Sequence, residues 1–118
     1  MSKLNPVELR IIRTMLAQKF GAGSPIVERA DSLRFETRQM TGTGYYVHFL
    51  NGEELPRADD LNTELSEDYR TNREAPCDLV GFTLFIRDGY LSSLEGYTFG
   101  DVKWPDELME KWLILDAA

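Results

Sequence analysis

The side chains able to do chemistry are few in this sequence. His48 is its single histidine and Cys77 its single cysteine. A Ser-His-Asp triad or a Cys-His pair would have to be built on His48. That residue lies between Val47 and Phe49, with no Gly-x-Ser-x-Gly nucleophile elbow nearby. A strand histidine with satisfied ring nitrogens is the simpler reading. Cys77 follows Pro76 where an apolar run begins, and reads as a small half-buried thiol rather than a nucleophile. One His and one Cys do not make an ordinary zinc site, so neither metal nor cofactor is expected.

Two carboxylate groupings remain. Glu95 stands between Leu94 and Gly96 in an expected central strand. A carboxylate there needs a cation, and Arg38 or Arg34 is available. With His48 and Tyr97, Arg38 and Glu95 would form a small-ligand or general-base site on the sheet. No second acid is placed beside Glu95 for a glycosidase-like pair. The other grouping is Asp59, Asp60, Glu64, Glu67 and Asp68, with Tyr69 behind them. It lacks the glycine and the terminal bidentate glutamate of a calcium loop. It suits a protein-binding face better, the acids meeting Lys and Arg of a partner and Tyr69 serving as a rigid anchor.

Charge supports that reading. The 118 residues carry a formal net charge of −7, unevenly spread. Residues 1–51 hold seven Lys/Arg against four Asp/Glu, whereas residues 52–78 hold three against nine. Negative segments repel phosphate and attract basic proteins. A basic protein partner is therefore expected and nucleic acid is not. Aromatic residues interleaved with basic ones, as base stacking requires, are absent. The apolar runs are too short to cross a bilayer. The N-terminus has no leader-like apolar segment, and a cytoplasmic location is the expectation.

These groups must be positioned by one domain of α+β type. Asn5, Pro6 and Glu8 start a helix over 5–20 with a capping box, and Gly21 ends it. Val7, Ile11, Ile12, Met15, Leu16 and Phe20 form its apolar stripe. Residues 26–39 read as a strand interrupted at Ala30-Asp31-Ser32, and 45–50 as a second strand. The Thr41-Gly42-Thr43-Gly44 segment between them is too short for a phosphate loop and leads into a strand, so it is a tight turn. Residues 52–77 read as an acidic surface insert with a short helical turn between Asp59 and Tyr69. Asp88-Gly89 then sets a two-residue hairpin. It pairs Ile86 with Leu91, Phe85 with Ser92 and Thr83 with Leu94. That puts Leu91 and Leu94 on opposite faces unless the second strand bulges near Ser92-Ser93. Trp104-Pro105 opens a closing helix. The expected fold is an antiparallel sheet of four or five strands with an N-terminal and a C-terminal helix on one face. An exposed hairpin edge leaves a homodimer open.

Arg38 to Tyr46, Gly81 to Gly89, Leu94-Glu95-Gly96-Tyr97 and Trp104-Pro105 together resemble a group of small uncharacterised bacterial proteins. Their shared pattern is an Arg and a Thr-Gly-x-Gly followed by aromatics, then Leu-Phe-x-x-Asp-Gly, Leu-Glu-Gly-Tyr and Trp-Pro. Thr43 replaces a common Val, and residues 52–77 fall outside the pattern. In size and character such proteins are similar to bacterial immunity proteins, including those of contact-dependent growth inhibition systems. The resemblance implies a non-enzymatic protein that neutralises a basic toxin domain by occlusion.

Overall fold

The computed structural model describes residues 2–50, 62–71, 79–99, 104 and 113–114. Helix α1 (Pro6–Phe20) forms as its sequence signals demand. The Asn5 side chain accepts from the Glu8 amide at 2.9 Å, and the Glu8 carboxylate accepts from the Asn5 amide at 3.2 Å. Pro6 occupies the first turn and Gly21, at φ 96°, caps the C-terminus. Val7, Glu8, Ile11, Ile12, Met15 and Leu16 are its buried residues.

The expected strand over 26–39 begins only at Arg34. Its first part is a second helix, α2 (Pro25–Arg29), followed by a single 3-10 turn (Ala30–Ser32). Pro25 at the first helical position pre-sets φ, and Ile26 and Ala30, four residues apart, are both fully buried. The apolar spacing that looked extended is one helical turn.

Seven strands follow one antiparallel order among the described residues. They are β1 (Ser2–Lys3), β2 (Arg34–Met40), β3 (Gly44–Phe49), β4 (Thr63–Thr71), β5 (Leu79–Arg87), β6 (Tyr90–Thr98) and β7 (Leu113–Ile114). In space they run β1-β2-β3-β6-β5-β4-β7. Five are of full length and two are two-residue strips at the edges, so the fold is α+β as expected. The described helices are both N-terminal to the long strands. The expected closing helix from Trp104-Pro105 lies outside the described residues, where Leu113–Ile114 is placed as strand.

The acidic insert is corrected in its second half. Thr63–Thr71 is a strand, not a loop with a helical turn, and pairs with β5 from Thr63↔Ile86 to Arg70↔Leu79. Leu65 and Tyr69 turn toward α1 while Glu64, Ser66, Asp68 and Arg70 are exposed, a two-residue period that Glu67 on the inner side had obscured. β3 and β4 are separated by β6 and β5, in Greek-key fashion. The connection between them must cross about 14 Å, three strand spacings.

The β5–β6 hairpin turns at Asp88 (φ 53°) and Gly89 (φ 82°), the two positive φ values that the Asp-Gly pair foretold. Ile86 pairs with Leu91 as expected, but Phe85 meets Ser93 and Leu84 meets Leu94. The extra residue is a bulge, and it returns Leu91 and Leu94 to one face.

That face, under the helices, carries Tyr45, Val47, Val80, Phe82, Leu84, Ile86, Leu91 and Leu94, each at most 1% exposed. Full burial of each aliphatic chain contributes about 1.5–3 kcal/mol. Trp104 closes one end, with its ring 5.1 Å from Tyr45 and 6.0 Å from Phe82. The three rings meet over Gly96. A Cβ added there would come within 3.0 Å of each. Gly96→Ala is therefore expected to cost about 1–3 kcal/mol by overpacking. Gly23→Ala, with nothing within 4 Å, should stay within about 0.5 kcal/mol. Urea unfolding of the two variants measures the contrast.

Candidate functional site

The sheet has two unlike faces, and they divide the residues that the sequence singles out. Arg38 opposes Val47, and so lies on the helix side. His48, Glu95 and Tyr97 lie on the other side, where strand alternation also puts Tyr46, Thr83, Phe85 and Ser93. The four-residue site on the sheet is therefore split by the sheet itself.

Arg38 is engaged by Glu8. Its Nη1 reaches Glu8 Oε2 at 2.9 Å and its Nη2 reaches Oε1 at 2.8 Å, a bidentate pair. Tyr45 Oη donates to the same Oε2 at 2.9 Å. The guanidinium lies 4.7 Å from the Phe35 ring centroid and 5.6 Å from that of Tyr45. Glu8 is fully buried while the Arg38 side chain keeps 27% of its surface. Each carboxylate oxygen thus has two donors, counting the Asn5 amide. Burial, then the Glu8 charge and its hydrogen bond, hold the Tyr45 phenol well above its ordinary pKa. The sequence marked Glu8 as a capping acid only. Its place on the Ile11–Ile12 stripe was the signal that it also needs a buried cation.

Glu95 takes neither Arg38 nor Arg34. It hydrogen-bonds the Tyr46 hydroxyl, which raises that phenol's pKa. Arg34 instead donates to the carbonyls of Asp31 and Leu33. His48 stacks on Tyr46 with ring centroids 5.9 Å apart and planes 8° from parallel. Phe85 lies 6.4 Å from Tyr46 on the other side. Thr83 and Ser66 share a hydrogen bond at 2.9 Å, and the Tyr97 ring lies over Gly81, where a Cβ would collide with it. The result is a band of half-exposed rings over a row of hydroxyls.

Among the described residues, three of the four exposed large hydrophobics belong to the same face. Leu79 is 38% exposed, Tyr90 48% and Phe99 45%. Register and alternation put Leu79 and Phe99 beside Gly81 and Tyr97, and Tyr90 opposite Arg87. Sequence reasoning missed Phe85, Tyr90, Leu79 and Phe99 here. The apolar run Leu79–Ile86 hides its own alternation until the bulge is located.

The acidic grouping divides as well. Glu64 and Asp68 are exposed on the helix-free side, and Glu64 makes an open ion pair with Arg87 at 3.4 Å. Glu67 turns toward α1. Tyr69, expected as a surface anchor, is 3% exposed and packs edge-on against Phe82 at 5.9 Å. Its buried hydroxyl has no hydrogen-bond partner among the described residues, and burial, then the Glu67 charge, push its pKa up to about 12. Asp59, Asp60 and Cys77 lie outside the described residues. Among those described, no three His, Cys, Asp or Glu side chains cluster as a metal site. No described helix is long and apolar enough to cross a membrane.

No protein-family model, curated protein or solved structure matches this chain.

Removing one member of the Glu8–Arg38 pair tests which charge the fold cannot leave alone. Arg38→Met strands a fully buried carboxylate and should cost about 3–5 kcal/mol in urea unfolding. Glu8→Gln keeps the capping box and leaves only the partly solvated guanidinium unpaired, so it should cost less. The tyrosines predict the alkaline limb. Below pH about 10 the phenols are neutral in both states and their contribution is complete. Above it the unfolded chain loses protons that Tyr45 and Tyr69 keep, so Tm should fall as pH rises toward their folded values. Tyr45→Phe should flatten that limb in a pH series of thermal melts.

Proposed function

We propose that this chain is a non-catalytic protein-binding domain that presents the helix-free face of its sheet to a basic partner. The partner in this reading is a toxin domain whose working groove the domain occludes, as bacterial immunity proteins do. The observation that carries the reading is that Leu79 and Phe99 at one end of the β5–β6 hairpin and Tyr90 at its turn are exposed on one face, with Tyr46, Phe85 and Tyr97 half-exposed between them. Apolar and aromatic surface gathered on one face marks a docking site, and aromatic side chains supply contact area at little entropic cost. Glu64 and Asp68 border this face. With the chain at −7 overall, long-range attraction selects a positive partner and speeds its arrival.

The alternative, a small-ligand or catalytic site around Arg38, His48, Glu95 and Tyr97, has less support. Three of these share the helix-free face, but the cation that such a site needs is held on the opposite side by Glu8.

The test is a binding titration against the C-terminal domain of any large secreted protein encoded next to this chain's gene. Affinity is expected to fall at least about tenfold between about 0.05 and 0.5 M salt, as screening shortens the reach of the charges. A Tyr46→Ala, Phe85→Ala double variant, checked for folding by circular dichroism, should lose at least another factor of about ten. Salt-independent binding that ignores both rings would remove the reading, as would substrate turnover by the purified domain.

A further inference from the structure

We infer that β4 is a docking edge for an extended basic segment, which joins the sheet as an added antiparallel strand. The inference rests on the protein-binding reading and names how the partner is held. Strand β4 is paired on one side with β5 along nearly its whole length. On its other side β7 meets only Arg70 and Thr71, antiparallel, through Ile114 and Leu113. Among the described residues, Thr63 to Asp68 has no strand on that side. Among those residues the outward backbone donors and acceptors of this stretch meet no strand, the arrangement that strand addition uses. β7 shows which strand direction this edge takes.

A second feature lies against the same stretch. A groove of about 260 Å³ opens where α1 meets β4, lined by Met15, Gln18, Lys19, Glu64, Leu65 and Ser66. Its floor is apolar, from buried Met15 and half-buried Leu65. Such a groove beside an open edge is where an added strand drops a side chain, while main-chain hydrogen bonds hold the strand itself.

Charge complementarity selects the occupant. Side chains of an added strand alternate between the two faces. Residues opposite Glu64 and Asp68 point to the helix-free face, and the residue opposite Glu67 points to the helix side. Each of these three meets a carboxylate. The residue opposite Leu65 meets the groove. Read along an antiparallel partner, the order is basic, basic, small polar, apolar, basic, from the position facing Asp68 to the one facing Glu64. Opposite charges directly across a ladder stabilise it and like charges oppose it. An acidic segment, or a second copy of β4, is therefore disfavoured. Glu64 already shares an open ion pair with Arg87, which a basic partner residue joins or replaces at small cost because both groups are solvated.

The experiment uses the full chain and a short capped peptide with that order of residues, flanked by threonine. Binding is followed by fluorescence anisotropy, and hydrogen exchange by mass spectrometry and NMR. The peptide should bind, and amides within Thr63–Asp68 should gain protection when it does. Glu64→Lys with Asp68→Lys, both at exposed positions, should weaken binding at least about tenfold. Methylating the peptide's amides on the side facing β4 should abolish it. Met40→Ala, at an exposed position on β2 far across the sheet from β4, should leave it unchanged.

Equal binding by a scrambled or methylated peptide would reduce the effect to charge alone and overturn strand addition. Full protection of Thr63–Asp68 in the free protein would show that the edge is already covered. Self-association that the two charge reversals change would assign the edge to a second copy. Either result overturns the inference. A protein partner that binds through Tyr46 and Phe85, and that neither the peptide nor the charge reversals disturb, would leave the protein-binding reading standing and remove this one alone.

Discussion

The Glu8 carboxylate is the constraint around which the rest of this domain is arranged. It lies in the first turn of α1 with no solvent exposure, yet it is charged when paired with Arg38. Isolated, such a group would cost several kcal/mol to bury. Here two guanidinium nitrogens, a phenol and a backbone amide satisfy both oxygens. Arg38 and Tyr45 come from β2 and β3, distant in sequence, and the amide comes from the N-cap of α1 itself. Because each donor must arrive at once, the pair fixes how α1 enters the sheet more sharply than aliphatic packing would. Replacing all members with well-packed apolar groups need not lower stability. What the pair adds is a single allowed placement of α1, since a slip of one turn would strand a charge.

A related economy governs the other end of the sheet. Gly44, opposite Tyr97 in the ladder, lies so close to β6 that a Cβ on it would strike the Gly96 carbonyl. Tyr45, Phe82 and Trp104 fill the space over Gly96. The turn holding Gly42 is tied by its carbonyl to the Trp104 amide at 2.8 Å, and Thr98 closes on the Thr43 carbonyl. The Thr-Gly-x-Gly and Leu-Glu-Gly-Tyr blocks and Trp104, dispersed in sequence, thus meet as one packing unit. Their glycines permit close approach of backbone and rings, which is a structural demand and needs no bound ligand to explain it.

How much of this was legible follows from which signals are local. α1 was read residue by residue, because caps and stripe lie within its own segment. The Asp88-Gly89 turn was equally local, whereas a bulge near Ser92-Ser93 and partial cover of both faces fitted Leu91 and Leu94 equally well until the register was known. α2 was missed because five residues carry too short a period to separate one helical turn from a strand. β4 was missed because Glu67 breaks the alternation of Leu65 and Tyr69, and because abundant acids argue for a loop. The partner of Arg38 was misassigned for a different reason. Both Glu8 and Glu95 could have held it, and only the face of the sheet decides between them. Face membership depends on register, a long-range property that no local spacing contains.

The two faces carry different demands, and the difference constrains function. On the helix side most large groups among the described residues are buried and the Glu8–Arg38 pair is fully satisfied, so substitution there is felt as instability. On the open side the rings of Tyr46, His48 and Phe85 touch one another without being covered, and Leu79, Tyr90 and Phe99 remain in water. Most single apolar residues on a surface need no explanation. Several on one sheet face, bordered by an acidic strand that among the described residues is paired along most of its length on one side only, are a liability for self-association. The exposed carboxylates of Glu64 and Asp68 oppose pairing of β4 with another copy of itself while leaving the edge attractive to cations. On the proposed reading, the charges that oppose self-pairing of this surface are the same ones that would choose its partner.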